Sequence, residues 1–212
     1  MNNIENSNIL ILSPHTDDAE FGAGGTINKF IRHNNNIKVV AFSSARESQP
    51  KNNKKDILKI EFERSMGILN VKDFCVLDFP VRKMPSFRQE ILEVLVKINK
   101  EFNPSIVITS STMDYHQDHQ TIANETIRAF KKSSSILCYE IPWNHIEFST
   151  KAFVKLNDED INNKINALKK YKSQRYRGNY LSAEVVKGLA YARGTQCNSK
   201  YAEAFEVVRW QI

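Results

Sequence analysis

The sequence predicts an α/β fold: a Rossmann-like, doubly wound and mostly parallel sheet with a C-terminal elaboration. Three observations carry this. Apolar, β-branched runs alternate with longer amphipathic stretches through the first two thirds of the chain. Parallel strands need crossovers, and the stretches between the runs are long enough to be crossover helices. The first and fourth runs, NILILS and SIVITSS, are continuously rather than alternately apolar, as in strands covered on both faces.

The strands are expected at 8–13, 37–44, 73–79, 105–111 and 135–141, with helices at about 19–33, 54–69, 86–102 and 118–132. In the third of these helices Ile91, Leu92, Leu95 and Ile98 recur at helical spacing. After Pro142 the rhythm changes. An extended stretch at 149–156, helices at about 158–171 and 182–193, and a final run YAEAFEVVRW read as additions near one edge of the sheet. A chain of 212 residues suits one domain. We expect its core over about 8–142 and the elaboration over about 143–212, since no repeat, low-complexity tract or linker divides them.

Composition excludes several classes. With 41% hydrophobic and 25% charged residues, the chain has material for a packed core and does not resemble a disordered protein. No Lys or Arg precedes the short apolar run Ile9–Leu12, and no window is long and apolar enough to span a membrane, so a soluble, cytoplasmic protein without a targeting segment is expected. Cys75, Cys138 and Cys197 are far apart, and the first two sit in strand-like runs where cysteine acts as a small hydrophobe. Neither a disulfide framework nor a Cys-rich zinc site is indicated. The formal charge of +6 is unevenly spread: residues 151–200 hold eleven Lys and Arg against four Asp and Glu, and the rest of the chain is near neutral. We read this third as mainly a solvated face, with an anionic substrate, a nucleic acid or an acidic surface as the partners it would attract.

In doubly wound sheets, ligands bind beyond the carboxyl ends of the strands where strand order reverses. With order 3-2-1-4-5, that place lies between strands 1 and 4. Strand 1 runs into PHTDDAE and strand 4 into TMDYHQDHQ, and three of the five histidines, His15, His116 and His119, fall in these two segments. Taken singly, each has a bland explanation: Asp18 as N-cap of a helix starting at Ala19, with Glu20 at its positive end, and Asp118 near the cap of the next helix. A phosphate-binding glycine loop fails on the residues. Ile27 stands where the dinucleotide fingerprint needs its third glycine, and neither a G-K-[ST] loop nor a G-x-S-x-G elbow occurs.

Metal chemistry suits the donors better. A catalytic zinc site takes three nitrogen or carboxylate ligands and keeps a position for water. His15 and Asp18 supply two and His119 the third. The adjacent Asp17 is then available to accept a proton from the water, and His116 faces the substrate oxygen as acid or oxyanion stabiliser, with Asp118 or Asp114 orienting its ring.

Pro14-His15-Thr16-Asp17-Asp18-Ala19-Glu20-Phe21-Gly22-Ala23-Gly24-Gly25 and Asp114-Tyr115-His116-Gln117-Asp118-His119 resemble the two motifs of the LmbE-like (PIG-L) zinc-dependent de-N-acetylases. A weaker likeness covers ALKKYKSQ and YAEAFEV. The resemblance implies a Rossmann-like fold, Zn2+ on His15, Asp18 and His119, Asp17 as general base, and His116 as acid or oxyanion stabiliser supported by Asp118. It implies removal of an acetyl group from a small N-acetylglucosamine-type sugar or conjugate. Thr16 departs from the motif's usual proline, which would have fixed φ in the turn. Arg46 and Glu47, after strand 2, are candidates for sugar hydroxyls or an anionic group, and Arg82, Arg88 and Arg193 for a phosphate or carboxylate. The segment YKSQRYRGNY is read as a lid over the pocket, and nucleic acid is not the expected partner. An amidase acting on another sugar-conjugate amide and an inactive basic binding module stay open, as does a homo-oligomer.

Overall fold

Seven strands form one sheet in the computed structural model, which describes residues 4–50 and 56–211. They are β1 (Asn8–His15), β2 (Asn36–Ser43), β3 (Asp73–Val76), β4 (Ile106–Thr109), β5 (Ser135–Tyr139), β6 (Ala152–Leu156) and β7 (Tyr201–Arg209). Their spatial order is β3-β2-β1-β4-β5-β7-β6. The first five strands pair in parallel, whereas β7 is antiparallel to both β5 and β6. The parallel part has the expected 3-2-1-4-5 order, and the C-terminal elaboration extends the sheet beyond β5.

Six α-helices cover the sheet: α1 (Asp18–Arg32), α2 (Ile57–Leu69), α3 (Arg88–Phe102), α4 (Gln117–Phe130), α5 (Asp158–Leu168) and α6 (Ala183–Gln196). Successive strand side chains point to opposite faces, and β1 shows why its run is continuously apolar. Ile9 and Ile11 pack on the face covered by α1, α2, α5 and α6, with Phe21, Ile27 and Phe62. Leu10 and Leu12 pack on the other face with Ile91, Leu95, Ile122 and Phe130 from α3 and α4. No helix among the described residues is long and apolar enough to cross a membrane.

Several boundaries differ from expectation for local reasons. Residues 54 and 55 of the expected second helix lie outside the described residues. The third strand stops at Val76, although Leu77 and Phe79 still donate their N–H groups to the carbonyls of Ala41 and Phe42 (2.8 and 3.1 Å). β3 lies at the sheet edge, which leaves Cys75 exposed rather than packed as a small hydrophobe; Cys138, on inner β5, is buried. The helix expected at 158–171 ends at Leu168, and the chain continues into a 3-10 turn over Lys172–Arg177. At the other end of α5, Asn157 and Asp160 form a reciprocal capping box.

The glycines of α1 let other elements press side chains onto it. A Cβ on Gly22 would stand 2.3–2.8 Å from the Tyr139 side chain, and one on Gly25 would stand 2.5 Å from Leu156 Cδ1. The Glu203 carboxylate accepts the N–H groups of Gly25 and Thr26 (3.0 and 2.7 Å) and pairs with Lys164 Nζ (2.6 Å), tying β7 and α5 to α1. Gly22→Ala is expected to lower stability by about 1–3 kcal/mol, because the buried Tyr139 ring has nowhere to retreat and its hydroxyl is bonded to Leu12 O. Equilibrium denaturation with urea checks this.

Candidate active site

β1 ends at His15, where the sheet order reverses between β1 and β4. The Ser13 hydroxyl closes the turn that follows, donating to His15 O and accepting the Ala19 N–H (3.0 Å). Asp17 occupies the N-cap position of α1 but makes no side-chain cap bond, and the helix begins at Asp18. The Asp18 carboxylate turns back to accept the His15 N–H (2.8 Å), so the bland reading of Asp18 as a helix cap does not describe what it does. Asp17 is left on the cavity wall, with the Tyr180 hydroxyl 3.4 Å from its Oδ2.

The second segment is organised by Asp114 and by the start of α4. His116 is the N-cap: its Nδ1 accepts the Asp118 N–H (3.2 Å), which puts the proton of a neutral ring on Nε2. Asp114 Oδ1 accepts the His116 N–H (2.7 Å), and Asp114 Oδ2 meets His119 Nδ1 (2.7 Å). The hydroxyl of Ser110 holds His119 O from beneath (2.9 Å).

Three donor atoms from the two segments converge. Asp18 Oδ2 lies 3.1 Å from His15 Nδ1 and 3.2 Å from His119 Nε2, and the two nitrogens are 3.2 Å apart. Tetrahedral zinc with ligands at about 2.0–2.2 Å requires donors roughly 3.3–3.5 Å apart, so this nearly equilateral set fits such an ion with little adjustment. His15, His116 and His119 also offer ring nitrogens within 4.8 Å of one another, a looser group able to hold a metal. Each ring of the tighter set is steered from behind by a carboxylate, His119 by Asp114 and His15 by Asp118 (Nε2 to Oδ2, 3.1 Å). The expected support of His116 by the Asp118 side chain is therefore replaced. That carboxylate sits under His15, held by the Arg82 and Met84 N–H groups (2.5 and 3.2 Å), and Asp118 reaches His116 only through its backbone. Asp114→Asn is expected to weaken metal affinity about 10–100-fold while leaving the fold intact, as measured by competition with a chromophoric chelator.

Without an ion, buried charge governs these groups. Burial lowers the His119 pKa, but Asp18 and Asp114 more than offset this and push it up to about 10. Burial raises that of Asp18, but the rings of His119 and His15 outweigh it and hold the carboxyl well below the usual range. His116 is pulled down to about 4 by burial and by its two histidine neighbours, so at neutral pH it is an uncharged hydrogen-bond donor. Glu20 lies outside the cavity wall; burial raises its pKa to about 8, so its carboxyl is protonated at neutral pH and meets the Tyr171 hydroxyl oxygen at 2.5 Å. That hydroxyl also donates to Thr16 O, pinning the turn at the residue where the motif usually has proline.

A cavity of about 750 Å³ opens over the donors. Of the residues expected to contact substrate, Glu47 and Arg82 line it. Arg46, Arg88 and Arg193 do not, because each guanidinium has found a carboxylate elsewhere: Asp56 (2.6 Å), the buried Glu125 (2.6 Å) and Glu140 (2.5 and 2.9 Å) respectively. Gln174 and Tyr180 of the expected lid region are on the wall, with Leu181 just after it, and Ser173 anchors that region to the Glu61 carboxylate through its N–H and hydroxyl (3.0 and 2.6 Å). Sequence reasoning missed Trp143 and Asn144, although both directly follow β5, the strand next to β4 at the same sheet end. Trp143 stacks edge-on between Phe21 and Tyr180, with ring centroids 4.5 and 4.8 Å away. Asn144 ties the β5 loop to the site, accepting the Tyr115 N–H (3.0 Å) and donating to Asp114 (3.3 Å).

Comparison with known proteins places the chain in a family. The chain is 27% identical over 173 residues to the uncharacterized deacetylase YaiS of Escherichia coli (strain K12), an alignment covering 78% of this chain and 90% of that protein. It is 27% identical over 119 residues to the diacetylchitobiose deacetylase of Thermococcus kodakarensis, covering 53% of this chain and 45% of that longer one. Its fold matches the crystal structure of the conserved protein TT1542 from Thermus thermophilus with a TM-score of 0.81 at 20% identity, over 97% of this chain and 96% of that one. The family model for PIG-L, GlcNAc-PI de-N-acetylase, matches residues 10–130, a span holding both histidine-aspartate segments and more than half of the chain, and the chain belongs to that family.

Proposed function

We propose that this protein is a zinc-dependent hydrolase that removes the acetyl group from a small N-acetylglucosamine-type sugar or sugar conjugate. The observation that carries the reading is the convergence of His15, Asp18 and His119 within 3.1–3.2 Å of one another at the floor of a cavity that Asp17 and His116 also line. The family and a relative named as a diacetylchitobiose deacetylase support the same chemistry.

His15, Asp18 and His119 hold the ion, and Asp114 and Asp118 fix the two rings that face it. Lewis acidity toward an acetyl carbonyl and toward water is what zinc supplies there. Asp17 takes a proton from the attacking water as its oxygen bonds to the acetyl carbon. His116, neutral with its proton on Nε2, donates a hydrogen bond to the carbonyl oxygen as negative charge builds on it. The C–N bond then breaks, the nitrogen receives the proton that Asp17 had taken, and a free amine and acetic acid leave, the acid passing its remaining proton to solvent to give acetate.

The test is acetate release from a panel of N-acetylglucosamine conjugates by protein loaded with zinc or with other divalent metals. Stoichiometric acetate and free amine are expected from at least one conjugate. Failure of every metal-loaded form on every N-acetylated sugar would overturn the reading.

A further inference from the structure

We infer that Arg82 is an anion-recognition residue, and that the molecule this cavity takes carries an acidic group, a carboxylate or a phosphate, on the side facing the loop between β3 and α3. The inference rests on the deacetylase reading for what the cavity does and names the charge class of what it binds. The sequence offers Arg46, Arg82, Arg88 and Arg193 as anion contacts, and the structure separates them sharply. Arg46, Arg88 and Arg193 are each paired with a carboxylate of the protein. Arg82 is exposed, lines the cavity, and makes no side-chain ion pair among the described residues.

Its backbone gives the second, independent observation. Arg82 stands at φ 65°, in the left-handed region that a long side chain seldom adopts and that glycine adopts freely. Both peptide groups of the residue are engaged: its N–H is held by the Asp118 carboxylate (2.5 Å) and its carbonyl accepts from Gln117 Nε2 (3.3 Å). The backbone role needs only a glycine there. An arginine at this position, its backbone N–H anchored to the carboxylate that steers His15 while its side chain faces the cavity, points to use of the side chain itself. Its planar fork suits the oxygens of a carboxylate or phosphate, and the basic 151–200 region adds long-range attraction for an anion. Glu47 lines the cavity from the loop after β2, which directs the acidic group toward Arg82 and away from that loop.

Arg82→Gly separates the two roles, since glycine keeps the backbone geometry and removes only the fork. The probes are N-acetylglucosamine, N-acetylglucosamine 6-phosphate and N-acetylmuramic acid, titrated calorimetrically into zinc-loaded wild type, Arg82→Gly and Arg82→Lys, with acetate release followed in parallel. Wild type is expected to bind at least one acidic sugar about tenfold or more tightly than the neutral one, and the arm that does so tells phosphate from carboxylate. In Arg82→Gly that ratio falls toward one with no loss in Tm, and Arg82→Lys recovers part of it. Equal affinities in wild type, or a preference that survives in Arg82→Gly, would overturn the inference; the second result puts the acid on the ion or elsewhere. An Arg82-dependent preference without acetate release from any sugar keeps the anion site and removes the deacetylase reading, and acetate release without a preference does the reverse.

Discussion

Asp17→Asn is expected to retain its metal and lose about 10²–10⁴-fold in kcat, the range that a positioned proton acceptor contributes. The two adjacent aspartates differ in what holds them. Asp18 is buried and bonded to the His15 N–H and to both rings, whereas Asp17 is half-buried on the cavity wall and makes no cap bond to α1. Replacing Asp17 by its near-isostere therefore leaves the donor triangle in place and removes the group that accepts the proton. The check is zinc content by mass spectrometry together with steady-state acetate release on the same preparation. An Asp17→Asn variant as active as wild type, with full metal, would remove Asp17 from the mechanism.

His119→Ala is expected to cost more than any orienting residue: zinc affinity falls beyond the roughly 100-fold upper end of such effects, and activity falls to background. The same residue sets how metal uptake depends on pH. A ligand must be deprotonated to bind, and in the metal-free protein the charges of Asp18 and Asp114 hold a proton on His119 up to about pH 10. The metal-free form thus binds a proton through the neutral range that the loaded form cannot keep. Burial lowers the His15 pKa but Asp118 and Asp18 raise it further, so affinity should rise with pH by about tenfold per unit or more, with one proton or more released per ion bound at about pH 7–8. Calorimetry in buffers of different ionisation enthalpy measures that proton, and an affinity independent of pH across the neutral range would contradict the assignment. Chelation should abolish activity reversibly in wild type, with zinc restoring it.

Much of this site was legible in the sequence because its donors come from two short segments, each directly after a buried parallel strand. The 3-2-1-4-5 order that brings the segments together follows from strand runs and crossover lengths, and His15, Asp18 and His119 meet where that order predicts. Spacing along the chain tells much less about which carboxylate serves which ring. Asp118 stands close to His116 in sequence, and that proximity suggests a partnership the side chains do not make. The first turn of α4 carries the Asp118 carboxylate under His15 instead, where two amides of the 82–84 loop meet it.

Sequence by itself determined the α/β architecture and which two segments meet beyond β1 and β4, because hydrophobic periodicity and local strand-to-helix turns are written in neighbouring positions. Only the tertiary structure decided which arginines remain available to the cavity, that Trp143 and Tyr180 form part of its wall, and that Cys75 lies exposed on an edge strand. Each of these depends on what a side chain meets from a distant segment: Glu125 for Arg88, Glu140 for Arg193, the sheet edge for Cys75. A long charged side chain takes the nearest fitting carboxylate, and which one is nearest is settled by packing rather than by distance along the chain.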